Sequence, residues 1–109
     1  MRNFMHKDLA EGGWKKLSLF EQLGNIGSEV GRAKKWQDKD QKLFQGAVDR
    51  ALELFDLTLE DERWKKQFFE IARSREVFVD AIFGGVNYKS SLDDLERYFM
   101  QFARAARNS

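Results

Sequence analysis

The side chains to which acid–base or metal chemistry would first be assigned in this chain are His6, Asp8 and Glu11, spaced close together near the N-terminus. An imidazole between carboxylates is the residue set that binds a divalent cation or relays a proton. His6 is, however, the only histidine, and two flexible carboxylates beside one imidazole make a weak site, so an exposed titrating side chain is the expectation. Other chemistries fail on residue types. Cysteine is absent, which removes thiolate nucleophiles, thiolate metal ligands and disulfides, a composition suited to a reducing compartment. There is no Glu-x-x-His pair of the di-iron bundle kind, no arginine closely followed by histidine in a helix as in helical toxin ribonucleases, and no Gly-rich phosphate loop. No catalytic, cofactor-binding or metal residue is therefore assigned, and neither an enzyme nor a small-molecule substrate is expected.

Cationic chemistry offers more. Basic residues gather as Lys15 with Lys16, Lys34 with Lys35 near Arg32, Lys65 with Lys66, and Arg104 with Arg107. Each pair alone reads as solvated surface. Brought together on one rim they would contact phosphates through local potential, even though the formal net charge is only +1. Trp36 beside Lys35 and Trp64 beside Lys65 are candidate stacking surfaces for single strands, although packing is the preferred role for both. The charge is uneven along the chain: residues 1–37 hold seven basic and four acidic side chains, and residues 38–61 hold three basic and seven acidic. Complementarity to helix ends explains much of this, with Lys34 and Lys35 at one helix end and Asp38 and Asp40 at the next helix start.

The elements that must position these groups are helices. The 109 residues contain no proline, ten Phe and three Trp, and the apolar residues recur at helical intervals, which predicts one all-α domain over residues 1–109, an up-down-up-down four-helix bundle. The first helix is expected over about 19–36, behind a capping box of Ser18 and Glu21. Its seam is Leu19, Leu23, Ile26, Val30 and Ala33, and beside the seam lie Gly24, Gly27 and Gly31. Interior glycines cost about 1 kcal/mol each relative to alanine, so close approach by a neighbouring element is the expected compensation. The second helix is expected over about 40–57 with Phe44, Ala47, Val48, Ala51, Leu54 and Phe55 inward, capped by Asp38 or Asp40. The third is expected over about 61–83, stopped by Gly84 and Gly85, and the fourth over about 92–107 behind Ser91 and Asp94. Residues 1–17 form an extension or short helix, pinned to the bundle by Trp14.

Two features point outward. The third helix is apolar on two tracks, Trp64, Phe68, Ile71, Phe78 and Ile82 on one, and Phe69, Ala72, Val79 and Phe83 on the other, with Arg75 and Glu76 interrupting them. A helix with two stripes is buried on both sides, which predicts a homo-oligomer with Phe69, Ala72, Arg75, Glu76, Val79 and Phe83 as interface candidates. Gln22, Asn25, Glu29 and Arg32 form a polar track on the first helix, either a solvated face or a network pairing Glu29 and Arg32 with Arg75 and Glu76.

The segment Gln22 to Ala33, QLGNIGSEVGRA, resembles the second-helix signature of small bacterial four-helix proteins encoded in ribosomal-RNA intervening sequences, a group to which the accessory variability determinant of diversity-generating retroelements is similar. Asn25 and Ile26 match the Asn-Ile of that signature and Gly31-Arg32 its closing Gly-Arg, while Gly27-Ser28 stands where Ala-Glu is usual and Glu29 is displaced. The resemblance implies a barrel-like homo-oligomer, often pentameric, whose basic surface assists a reverse transcriptase or binds nucleic acid. The alternative expectation is a protein–protein adaptor without nucleic acid, which seats a partner helix on the spare apolar stripe. Residues 1–13 lack the apolar centre of a signal peptide and no apolar run is long enough to span a bilayer, so a cytoplasmic protein that does not engage membrane is expected.

Overall fold

A computed structural model describes residues 12–84 and 91–108, in which all regular structure is helical. The His6, Asp8 and Glu11 cluster and Gly85 lie outside the described residues. A 3₁₀ turn at Trp14–Lys16 precedes α1 (Leu19–Trp36) and α2 (Gln41–Leu59); a second 3₁₀ segment, Glu62–Gln67, leads into α3 (Phe68–Ile82), and α4 (Leu92–Asn108) completes the chain. The four helices form the expected all-α four-helix bundle. No helix among the described residues is long and apolar enough to cross a membrane.

The caps set the helix starts. Ser18 Oγ accepts from the Glu21 amide at 3.1 Å and Glu21 Oε1 accepts from the Ser18 amide at 2.9 Å, so the two residues satisfy each other's orphan donors. Asp40, of the two candidates, caps α2 through the Leu43 amide at 3.1 Å. Ser91 Oγ accepts from the Asp94 amide at 3.2 Å at the start of α4. Gly84 adopts φ 65°, the left-handed conformation that ends a helix without a Cβ clash.

One boundary differs from expectation. The stretch after Asp61 does not enter the third helix directly: Trp64 has φ −106° and ψ 27°, and regular α3 begins only at Phe68. Hydrogen bonds to distant residues hold the Trp64 and Asp61 side chains there, and they outweigh the local helical preference.

Packing is unequal. α1 is the most extensively contacted helix, lying between α2 and α4, whereas α3 touches α2 and α4 more lightly. Lys34 at the end of α1 bonds Asp93 and Glu96 at the start of α4, and Gly24 faces Ala103, so α1 and α4 run antiparallel. The core they share with α2 contains Ile26, Val30, Phe44, Val48, Leu54, Phe55, Leu95 and Phe99, with Ile71 and Phe78 entering from α3. Phe55 meets Phe78 with the rings tilted and Phe99 edge-on, both at 5.8 Å between centroids, which locks three helices to one centre.

The glycines of α1 mark where α4 comes close. A methyl group at Gly27 would lie 2.6 Å from Phe99 Cβ, and one at Gly24 would lie 3.0 Å from Ala103 Cα. Only hydrogen fits at Gly27, and at Gly24 a methyl would press on the α4 backbone, so close approach is the compensation expected for glycine inside a helix.

Candidate functional site

Three places in the fold gather polar or exposed groups: a buried junction at one end, a basic rim around that end, and the outward face of α3.

The junction is built on Trp14, which is 1% exposed and donates its indole N–H to Thr58 Oγ1 at 2.9 Å. Gln22 is fully buried; its amide N donates to the Trp14 carbonyl at 2.8 Å and to Asp61 Oδ2 at 3.3 Å, and its amide O accepts from Trp64 Nε1 at 2.9 Å. Arg63 reaches both Asp61 oxygens and the Leu17 carbonyl, and its guanidinium lies 4.4 Å from the centre of the Trp64 ring. The entry segment, α1, α2 and the Glu62–Gln67 turn are thus cross-linked by one satisfied network. With every donor and acceptor of Gln22 engaged, this is a clasp that fixes geometry.

Electrostatics of the junction make it acid-sensitive. Hydrogen bonds from Arg63 outweigh desolvation and hold the Asp61 carboxyl at about 2. A carboxyl whose folded value lies below its unfolded value of about 3.9 stabilises the fold above that unfolded value, by roughly 2 kcal/mol here, and loses the contribution as pH falls through the folded value. Urea midpoints are therefore expected to drop between about pH 4 and about pH 2, and Asp61→Asn is expected to flatten that part of the profile. An unchanged slope in the variant would contradict the assignment.

The basic candidates divide in two. The antiparallel topology carries Lys15 and Lys16 before α1, Lys65 and Lys66 before α3, and Arg104 and Arg107 at the end of α4 to the same end of the bundle, all of them exposed. Arg32, Lys34 and Lys35 lie towards the other end. There Lys34 bonds Asp93 at 2.6 Å and Glu96 at 2.8 Å, which raises its pKa, Arg32 is bound by Glu29, and Lys35 lies 4.9 Å from the Trp36 ring centre. Of the two tryptophans considered for stacking, Trp64 is half-buried with its N–H engaged and a guanidinium beside its ring, which makes it a packing residue.

Of the two readings of the polar track, a solvated face or a network with Arg75 and Glu76, the structure corrects both at its buried members: Gln22 and Glu29 do not face solvent, and Glu29 does not pair with Arg75. Glu29 is buried and pairs with Arg32 on its own helix and with Arg50 of α2 at 3.0 Å. Arg75 instead bonds Asp56 of α2 at 3.0 Å. The reason is placement: α3 stands diagonally across from α1, and α2 fills the position beside Glu29.

On α3, Ile71 and Phe78 face the core, while Phe69 and the capping Phe83 just past its end face away, 85% and 77% exposed. Ala72 and Val79 are half-buried and Glu76 is exposed, so the interface candidates other than Arg75 share the outward stripe. Sequence reasoning overlooked Arg73 and Asp80, which flank this stripe on one side. Their spacing of seven, two helical turns, was the signal available.

A groove of about 220 Å³ separates α1, α3 and α4, lined by Phe20, Leu23, Ile71 and Phe102, with Tyr98 and Glu70 bonded to each other at 2.8 Å. No group of three or more His, Asp or Glu placed to hold a metal occurs among the described residues. Comparison with family models, with curated proteins and with solved structures gives no match for this chain.

Proposed function

We propose that this protein is a non-catalytic helical scaffold that associates with itself through the outward face of α3. The observation that carries the proposal is the pair Phe69 and Phe83, 85% and 77% exposed on the most lightly packed helix of the bundle. Large aromatics aligned on one exposed stripe mark an association surface. Burying each phenylalanine contributes roughly 2 kcal/mol, against an association cost of about 4–15 kcal/mol. Two per copy therefore sustain a modest affinity, visible at high protein concentration. Light scattering over a concentration series is expected to show mass rising above that of one chain, and Phe69→Glu with Phe83→Glu is expected to return it to the monomer while leaving the helical circular dichroism unchanged. A wild-type mass that stays monomeric at every concentration would remove self-association and favour the adaptor, in which the same face receives a helix of another protein.

A second reading, contact with nucleic acid directly or while assisting an enzyme such as a reverse transcriptase, is supported by the convergence of three basic pairs at one end of the bundle. Lys15, Lys16, Lys65, Lys66, Arg104 and Arg107 place six cations at this end, beside the exposed Glu21, Glu60 and Glu62, a local surplus that the net charge of +1 conceals. A single-stranded oligonucleotide is expected to be retained at low salt and released steeply as salt rises, and Lys65→Glu with Lys66→Glu is expected to weaken retention. Absence of retention at low salt would reject this reading and leave the scaffold intact.

A further inference from the structure

Resting on the self-association proposed above, we infer the geometry of the assembly: two copies pair their α3 helices antiparallel about a two-fold axis beside Glu76, setting Arg73 of each copy against Asp80 of the other.

The outward face of α3 has a layout that suits this pairing. At 3.6 residues per turn, Phe69, Glu76 and Phe83 fall in one line, Ala72 and Val79 fall on one side of it, and Arg73 and Asp80 fall on the other. A two-fold axis at Glu76, perpendicular to the helices, exchanges positions that lie equally far before and after it. Phe69 and Phe83 lie seven residues either side. Ala72 lies four before and Val79 three after; Arg73 lies three before and Asp80 four after. The operation therefore sets Phe69 against Phe83 of the second copy, Ala72 against Val79, and Arg73 against Asp80, each contact occurring twice. An isologous contact of this kind must be self-complementary, and the face is so in both shape and charge.

Charge decides the direction. Parallel pairing about an axis along the helices would carry the Arg73 and Asp80 flank onto the Ala72 and Val79 flank of the other copy, leaving both charges without an opposite charge across the contact. Antiparallel pairing sets cation against anion on the same flank and places each Arg73 about one helical turn from the Glu76 carboxylate of the other copy, so the two carboxylates at the axis lie between two guanidinium groups. The remaining flank, Ala72 and Val79, is small and half-buried, which lets two helix backbones come close.

The chain contains no cysteine, so introduced cysteines report register without background. Glu76→Cys is expected to oxidise with itself, because a disulfide needs Cα atoms within about 7 Å and only positions at the axis bring identical residues that near. Ala72→Cys and Val79→Cys are each expected to stay reduced alone and to cross-link when mixed. Arg73→Asp is expected to weaken association by about tenfold or more, and Asp80→Arg in the same chain is expected to restore it. Self-linking of all three cysteine variants would establish parallel pairing and overturn the geometry. A wild-type oligomer in which Glu76→Cys fails to link and the charge exchange fails to rescue overturns the antiparallel pairing while self-association stands. A monomeric wild type overturns both.

Discussion

Replacing Trp14 with alanine is expected to destabilise the bundle by about 4 kcal/mol, as large as a truncation in the shared centre of the helices. The indole is 1% exposed, so its removal forfeits the burial of a large aromatic and leaves a cavity between the entry segment, α1 and α2. It also strands Thr58 Oγ1, which accepts the indole N–H at 2.9 Å inside the fold. The loss is bounded, because a segment that pays more than its docking free energy simply detaches, exposing Gln22 and Asp61 to water. Trp14→Phe separates the contributions: it keeps most of the apolar area and omits the donor, so a cost of about 1–3 kcal/mol is expected. Urea denaturation of the two variants measures both. Equal stability of Trp14→Ala and the wild type would show that the clasp does not hold the bundle.

Gly27→Ala is expected to lower stability by about 1–2 kcal/mol, although alanine is the better helix former. Propensity alone favours alanine by about 1 kcal/mol. Against that stands the Phe99 Cβ at 2.6 Å from the added methyl, an atom fixed to the α4 backbone and so unable to rotate away. Overpacking of this type costs about 1–3 kcal/mol or more where the two helices must separate, and Phe99 is fully buried beneath its contacts with Phe55 and Tyr98. Gly31→Ala supplies the contrast. There the methyl meets Glu96 Oε2 at 2.5 Å, the tip of a flexible side chain, so Glu96 swings aside and the helical gain of up to about 1 kcal/mol is retained, less any weakening of the Lys34 pair. Thermal melts of the two variants are expected to move in opposite directions. A stabilising Gly27→Ala would mean that α4 does not approach α1 as closely as described.

The two groups of interactions have different consequences for assembly. The glycine contacts and the Trp14 junction hold α1, α2 and α4 into a firm unit, while α3 is packed more lightly and is flanked by the exposed Phe69 and Phe83. The basic end, formed by residues before α1, before α3 and at the end of α4, points along the bundle rather than outward from α3. The self-association proposed through α3 would therefore leave that end accessible in both copies.

The chain by itself determined which segments are helical. Apolar residues at three-and-four spacing, Ser18 with Glu21, and Asp40 are local signals, and helix geometry acts on neighbours in sequence, so four helices and most of their limits were legible. The glycines at 24 and 27 were legible too, as a demand for close approach, though not which helix answered it. Tertiary structure alone decided the rest. Whether Gln22 and Glu29 meet water or a partner depends on which residues another helix carries to them, and those proved to be Trp14, Asp61 and Trp64 for the first and Arg50 for the second. The 3₁₀ path of Glu62–Gln67 replaced a continuous third helix for the same reason, since Gln22, some forty positions earlier, bonds Asp61 and Trp64 there. Hydrogen bonds and ion pairs act over a few ångströms of space regardless of separation along the chain, whereas periodicity records only the chain.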